Sequence, residues 1–124
     1  MIFYTHAFVR GEKILCRGYK KSANGSFVRS TIVEPYNPYL FWPSEKKTQW
    51  TTLDGKYVDR IDFGSIRECR EFVKQYEGVS GVEIYGNTDF TYTFIHDQFP
   101  GEIKYVPSAL KVCYLDIEVE CEDG

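Results

Sequence analysis

No stretch of about 18 consecutive apolar residues occurs in this sequence, so it holds no candidate membrane-spanning helix. The opening residues, Met1-Ile2-Phe3-Tyr4-Thr5-His6, lack the basic start and apolar run of a secretory leader. There is no Cys-x-x-Cys pair: the cysteines stand at positions 16, 69, 113 and 121, and the two histidines, His6 and His96, lie near none of them. That spacing argues against a zinc site. Cys113 and Cys121 sit on what reads as one strand, where eight residues separate them by about 27 Å, too far for a disulfide within that strand. Reduced thiols in a cytosol, with no membrane partner, are the expectation.

Aromatic residues are abundant: ten Tyr, nine Phe and two Trp among 124 residues, a composition that favours strands over helices. The length suits one ordinary domain with its own core. A net charge of −3 argues against a free-standing, tight nucleic-acid binder, since phosphate neutralisation dominates such binding. The average hides an asymmetry. Residues 1–31 carry Arg10, Lys13, Arg17, Lys20, Lys21 and Arg29 against Glu12 alone, whereas the other end carries Asp116, Glu118, Glu120, Glu122 and Asp123.

Along the chain, residues 2–9 and 14–21 read as strands, and Asn24-Gly25 is expected to supply the positive φ values of a tight hairpin returning through 27–33. Residues 38–43 are bounded by prolines and permit only a short or edge strand. Short strands follow at 48–53 and 56–61 around Asp54-Gly55. One helix is predicted from Ser65, which forms a capping box with Glu68, to about residue 76 or 77, with Gly78 ending it. Its apolar face is Ile66, Cys69, Phe72, Val73 and Tyr76; Arg67, Arg70, Glu71 and Lys74 face water. Further strands are expected at 82–85, 90–96, 102–105 and, most clearly, 111–121, where apolar Cys113, Leu115, Ile117 and Val119 alternate with Tyr114, Asp116, Glu118 and Glu120. The pattern predicts an α+β fold: a mainly antiparallel, curved sheet with one principal helix at about 65–77. Trp42 and Trp50 read as core or interface aromatics, and the histidines as structural or surface residues.

Two groups of residues suggest chemistry. On a strand, Asp116 and Glu118 share one face with Cα atoms about 6.5 to 7 Å apart, close enough for both carboxylates to converge on a divalent cation. Hard oxygens suit magnesium or manganese, and a two-metal phosphodiester site needs further acidic ligands that this sequence does not obviously offer. Solvation of a strand end is the plainer explanation of those acids. The second group is the basic hairpin, in which Arg17, Tyr19, Lys20, Lys21, Phe27 and Arg29 combine phosphate-binding cations with aromatic surfaces for stacking unpaired bases. Tyr19 and Phe27 read equally well as core.

The stretch Glu102-Ile103-Lys104-Tyr105, then Leu110-Lys111-Val112, then Leu115-Asp116-Ile117-Glu118-Val119 resembles the entry into the exonuclease domain of family B DNA polymerases of T-even-type tailed phages. Pro38-Tyr39-Leu40-Phe41, Asp54-Gly55-Lys56 and the helix near 65–77 follow in that family's order, so the resemblance extends over nearly the whole chain. In the family, the Asp-Ile-Glu triplet is the first motif of the 3′→5′ proofreading exonuclease. The resemblance thus implies that Asp116 and Glu118 are catalytic ligands for Mg²⁺ or Mn²⁺, with Ile117 packing between them. It further implies that residues 1–109 form the polymerase N-terminal domain and that 110–124 begin an exonuclease domain with the first strand of a ribonuclease H-like fold.

On this resemblance the chain is expected to be a cut fragment or one product of a split polymerase gene, inactive alone and without a tightly bound cofactor. The complete enzyme would act on DNA template and primer in the cytoplasm of a bacterial host, with the remaining polymerase polypeptide as partner. The resemblance also places the N-terminal domain beside the unpaired template. A rival expectation is an RNA-binding translational regulator that grips a messenger RNA with the basic hairpin and uses no metal. A self-sufficient nuclease is disfavoured by the shortage of acidic ligands.

Overall fold

Strands form where β-branched and aromatic residues run up to glycine-containing turns, and the two resulting sheets are small. The computed structural model describes residues 1–122; Asp123, counted above with the acidic end, and Gly124 lie outside the described residues. β1 (Phe3–Arg10), β2 (Lys13–Lys21) and β3 (Phe27–Pro35) make one antiparallel sheet in the order β1-β2-β3. β4 (Tyr39–Pro43), β5 (Trp50–Thr51) and β6 (Tyr57–Asp62) make a second, ordered β4-β6-β5. The expected single sheet is thus two three-stranded sheets.

The two hairpin turns share one construction. In the β2–β3 turn the Gly25 N–H donates to the Ser22 carbonyl at 3.0 Å, and the Ser22 N–H donates to the Ser26 carbonyl at 2.8 Å. In the β5–β6 turn Gly55 and Thr52 repeat both bonds, at 3.0 and 2.8 Å. Only the glycines take positive φ, 85° at Gly25 and 86° at Gly55. The expectation that Asn24 shares that conformation is corrected: its side-chain oxygen instead accepts from the Ser26 N–H at 3.1 Å, which holds the turn from outside.

α1 (Ile66–Tyr76) begins at Ser65 as expected. The Ser65 hydroxyl accepts from the Glu68 N–H at 3.1 Å, and the Glu68 carboxylate reaches back to the Gly64 N–H at 2.9 Å. A third N-terminal amide, that of Arg67, donates to Glu12 at 3.1 Å across 55 residues of sequence. Gly78, with φ 74°, follows the helix end.

α2 (Phe90–Gln98) replaces the strand expected at 90–96. The Asp89 side chain caps it by accepting from the Thr91 N–H at 3.2 Å. Phe90 and Phe94, one helical turn apart, are both buried while Tyr92 between them is 62% exposed; a strand would turn all three to one face, and a helix separates Tyr92 from the other two. Residues 82–85 make a single bridge, Tyr85 to Phe41, rather than a strand. Neither 102–105 nor 111–121 is a strand; the intervening chain holds one 3₁₀ turn, Pro107–Ala109. No helix among the described residues is long and apolar enough to cross a membrane.

One apolar cluster serves both sheets. Ile14 and Cys16 of β2, Tyr36, Leu40 of β4, Phe63, Ile66 and Cys69 of α1, and Phe90 and Phe94 of α2 pack together. Burying each large member contributes about 1.5–3 kcal/mol. Burial pushes the Cys69 thiol up to about 11 and raises that of Cys16, so both stay neutral and unreactive. At the edge of the core, Asp97 of α2 accepts hydrogen bonds from Tyr36 at 3.1 Å and Tyr39 at 2.9 Å. The Arg60 guanidinium lies 3.8 Å from the Tyr39 ring centroid, a cation–π contact that ties β6 to the same node.

Two outcomes follow for stability. Ser65→Ala removes one cap bond and is expected to lower the unfolding free energy by about 1 kcal/mol in urea titrations. The Tyr36 hydroxyl is held above the usual tyrosine value of 10.0, first by burial and then by the charge and hydrogen bond of Asp97, partly offset by a bond with Thr93. The unfolded chain therefore releases this proton at lower pH than the folded one. The contribution is complete below the usual value and declines as pH rises past it. Comparing urea midpoints at about pH 8 and about pH 11 should show a loss that is smaller in Tyr36→Phe; an equal loss in both would remove Tyr36 as its source.

Candidate functional site

Strand pairing sorts the basic hairpin by face. Directly opposed residues project to one side of a sheet, and residues two apart along a strand do the same. Arg17 pairs with His6 and Thr31, Tyr19 with Phe3 and Arg29, and Lys21 with Phe27. Arg17, Tyr19, Lys21, Phe27 and Arg29 therefore share the outer face of the first sheet. Lys20 pairs with Val28 on the opposite face, together with Cys16 and Gly18. Lys13 and its partner Arg10 extend the outer face, which carries five cations, Arg10, Lys13, Arg17, Lys21 and Arg29, and no acidic residue.

The aromatic members differ in availability. Tyr19 is 8% exposed, stacked on Phe3 with centroids 5.3 Å apart, so its ring offers no free surface to a base. Phe27 is half-buried. Tyr105 lies over Phe3 at 5.7 Å and also meets Tyr4 at 6.0 Å; burial, then the Tyr4 hydroxyl, pushes its phenol up to about 12. These contacts lead the chain after α2 across the outer face. Leu110, Lys111 and Val112 form one wall of a cleft of about 300 Å³ whose other walls include Thr5, Arg17, Arg29 and Thr31.

Gly18 sets the floor of this arrangement. A Cβ there would stand 2.1 Å from the Phe3 carbonyl oxygen and 2.8 Å from the Tyr4 Cα, so β1 approaches β2 as only glycine permits. Beside it the register slips between Tyr4 and His6. The extra residue, Thr5, donates its hydroxyl to the Arg17 carbonyl at 3.3 Å. A bulge of this kind bends the strand and re-aims its neighbours, here beside Arg17.

Asp116 and Glu118 are both exposed, on a segment that carries no strand. The physical reason is pairing: an isolated extended segment leaves its amides and carbonyls to water, and no described strand lies alongside it. Its apolar side chains are exposed too, Leu115 by 81%, Ile117 by 71% and Val119 by 77%. Among the described residues no group of three or more His, Cys, Asp or Glu is placed to hold a metal ion. Asp116 and Glu118 carry hard oxygens of a type that suits magnesium or manganese, and two carboxylates alone are fewer than the ligands such an ion takes.

A wider cleft of about 680 Å³ lies between the β5–β6 turn and Tyr85, lined by Phe41, Trp50, Leu53, Asp54 and Val58 among others. Its one ionised group is a carboxylate, which suits a phosphate poorly. Trp50 packs on Phe41 at 5.9 Å, and Trp42 packs on Phe72 at 6.1 Å while remaining 41% exposed. His6 and His96 are exposed, in keeping with surface roles. Cys113 and Cys121 are exposed free thiols.

Of the cleft residues, Thr5, Gly18, Ser30 and Thr31 were not singled out in the sequence, and Leu110, Lys111 and Val112 entered only through the resemblance. Lys111 is 82 positions from Arg29, and no local pattern signals that its segment crosses the sheet.

No protein-family model matches the chain. The chain is 33% identical over 91 residues to the DNA-directed DNA polymerase of Escherichia phage RB69, a match covering 72% of this chain and 10% of that protein. It is 30% identical over 84 residues to the DNA-directed DNA polymerase of Enterobacteria phage T4, covering 68% of this chain and 9% of that protein. The matched stretches thus span about a tenth of the length of these relatives. These similarities bear out the resemblance to the DNA polymerases of T4-type phages.

Gly18→Ala tests the close strand approach. Overpacking of this kind is expected to cost about 3 kcal/mol or more of unfolding free energy in urea titrations, because the nearest obstacle is backbone. An unchanged midpoint would show that β1 can move aside.

Proposed function

We propose that this chain is part of a nucleic-acid-processing enzyme. That enzyme is a DNA-directed DNA polymerase of family B with a 3′→5′ proofreading exonuclease, acting on DNA template and primer in the cytoplasm of a bacterial host. The observation that carries the reading is the similarity, over 72% and 68% of the chain, to two phage proteins named as DNA-directed DNA polymerases.

Within that enzyme, residues 1–109 serve as scaffold and supply template-side contacts from the outer face of the first sheet. The acid-free, cation-bearing face supports this assignment, because phosphate neutralisation is the main source of affinity for a nucleic-acid strand. Residues 110–124 begin the exonuclease domain as the first strand of a ribonuclease H-like fold. The exposure of Leu115, Ile117 and Val119 supports that reading, since apolar side chains alternating with polar ones fit a strand that is covered on one face by other polypeptide. The remaining polymerase polypeptide supplies that cover and the other acidic ligands, so the chain alone is inactive.

Asp116 and Glu118 would hold a magnesium or manganese ion. When bound, such ions activate a water and stabilise the leaving oxygen of a phosphodiester. The chain's own contribution is to present two carboxylates two residues apart, with Ile117 between them facing the other way once the strand is paired. Their exposure leaves them free to bind.

The test is the double variant Asp116→Ala/Glu118→Ala in the complete enzyme, assayed for excision of a mismatched primer end and for primer extension. Losing even the groups that orient metal ligands costs roughly 10–100-fold. Removing both ligands is therefore expected to slow excision more than about 100-fold while extension persists. Unchanged excision would dispose of the exonuclease assignment.

A further inference from the structure

Arg17, Arg29 and Lys111 border one cleft of about 300 Å³. Among the described residues, none of them makes an ion pair; the salt bridges present are Lys56–Asp54, Arg60–Asp62 and Arg67–Glu71. Three like charges around one small space repel one another unless an anion or ample water lies between them. The cleft has its own construction. Arg17 and Arg29 stand on adjacent strands in fixed register, the Thr5 bulge is bonded to the Arg17 backbone, and the crossing segment adds Lys111 from 82 or more residues away.

We propose that this cleft seats a backbone phosphate of an unpaired DNA strand, and that residues 110–112 complete the seat. The proposal deepens the template-side contact described above and rests on that nucleic-acid reading, but it requires neither Asp116 nor Glu118. A guanidinium offers a fork of donors to phosphate oxygens, and a lysine adds a compact positive charge. The Thr31 hydroxyl is a further donor, whereas the Thr5 hydroxyl proton is engaged by the Arg17 carbonyl. One wall is a crossing segment that stands over the sheet, so the seat admits a strand flexible enough to dip into it. Duplex phosphates lie on a stiff cylinder and cannot follow. On the same face, Lys21 and the half-buried Phe27 lie toward the hairpin turn, where the next phosphate and a stacked base would be met.

The crossing segment has a second consequence. Lys111 lies five residues before Asp116, so a strand held in the cleft is gripped by the same stretch of chain that carries the carboxylates. Binding of the strand and placement of that stretch are then linked.

The experiment uses the 124-residue chain with no added metal and a fluorescein-labelled oligothymidylate, followed by anisotropy across sodium chloride concentrations. Each phosphate contact to a single strand contributes a slope of about −0.7 in log affinity against log salt. Three contacts therefore weaken binding roughly 20-fold between about 50 and about 200 mM salt. Lys111→Gln should lower the affinity and reduce that loss to about 7-fold, and Lys111→Arg should restore it. Arg17→Gln and Arg29→Gln should each behave like Lys111→Gln, while Lys74→Gln on α1 should match the parent chain. Matching thermal unfolding curves would exclude loss of fold as the cause.

A Lys111→Gln variant with the parent's affinity and salt dependence would overturn the proposal. So would equal binding of a duplex, or tighter binding of oligouridylate than of oligothymidylate. Because this assay contains no exonuclease step, its failure would leave the excision test standing, and failure of the excision test would not touch this one.

Discussion

Two three-stranded sheets share a single apolar cluster, and that sharing constrains the rest of the molecule. A sheet of three strands is stable only if one face is covered. The first sheet covers its inner face with Ile14 and Cys16 against Ile66, Cys69, Phe90 and Phe94, and Leu40 brings the second sheet to the same cluster. Both helices therefore contribute apolar residues to the cluster that the sheets share. Glu12 on the β1–β2 turn caps α1, and Tyr36 and Tyr39 bond to Asp97 of α2, so each helix is also held at its periphery by polar contacts from a sheet or its flanks. Tyr36 is 8% exposed, so losing its bond to Asp97 would cost a largely desolvated hydroxyl one of its partners.

With the inner face committed, the outer face of the first sheet is left for function. Gly18 lets β1 press close to β2, the Thr5 bulge absorbs the extra residue, and Phe3 stacks on Tyr19. Tyr105 rests on that stack and carries the following chain across the sheet. Packing thereby brings Lys111 to Arg17 and Arg29. Tyr19, which looked like a stacking surface for bases, belongs instead to the foundation of the crossing segment, and the cations around it are what remains exposed.

The sequence was most readable where a local signal has a local cause. The Ser65–Glu68 capping box, the Gly78 stop, and the glycines at 25 and 55 each act within a few residues, and the structure keeps all of them. The hairpin β2–β3 was readable for the same reason. Residues 90–96 were misread because Tyr, Thr and Phe favour strands while the core took Phe90 and Phe94 and left Tyr92 in water, which a strand cannot do; the cap at Asp89 was the local signal to weigh. Residues 111–121 show strand alternation without strand pairing, because alternation records which side chains suit a face and says nothing about whether a neighbour is present. The carboxylates of the candidate site were legible by type and spacing; the cleft was not, since its walls come from distant parts of the chain.

Read alone, the sequence determines the short-range features: turn glycines, the cap and amphipathic face of α1, the β2–β3 hairpin, the acidic end and the likeness to phage polymerases. These depend on side chains interacting with their own backbone or with neighbours a few positions away. Tertiary packing settles the division into two sheets, the helical state of residues 90–98, the burial of Tyr19, the capping of α1 by Glu12, and the meeting of Lys111 with Arg17 and Arg29. Each of these balances the burial of apolar surface against local preference, and a contact across 55 or 82 residues leaves no periodic trace in the chain for such a balance to be read from.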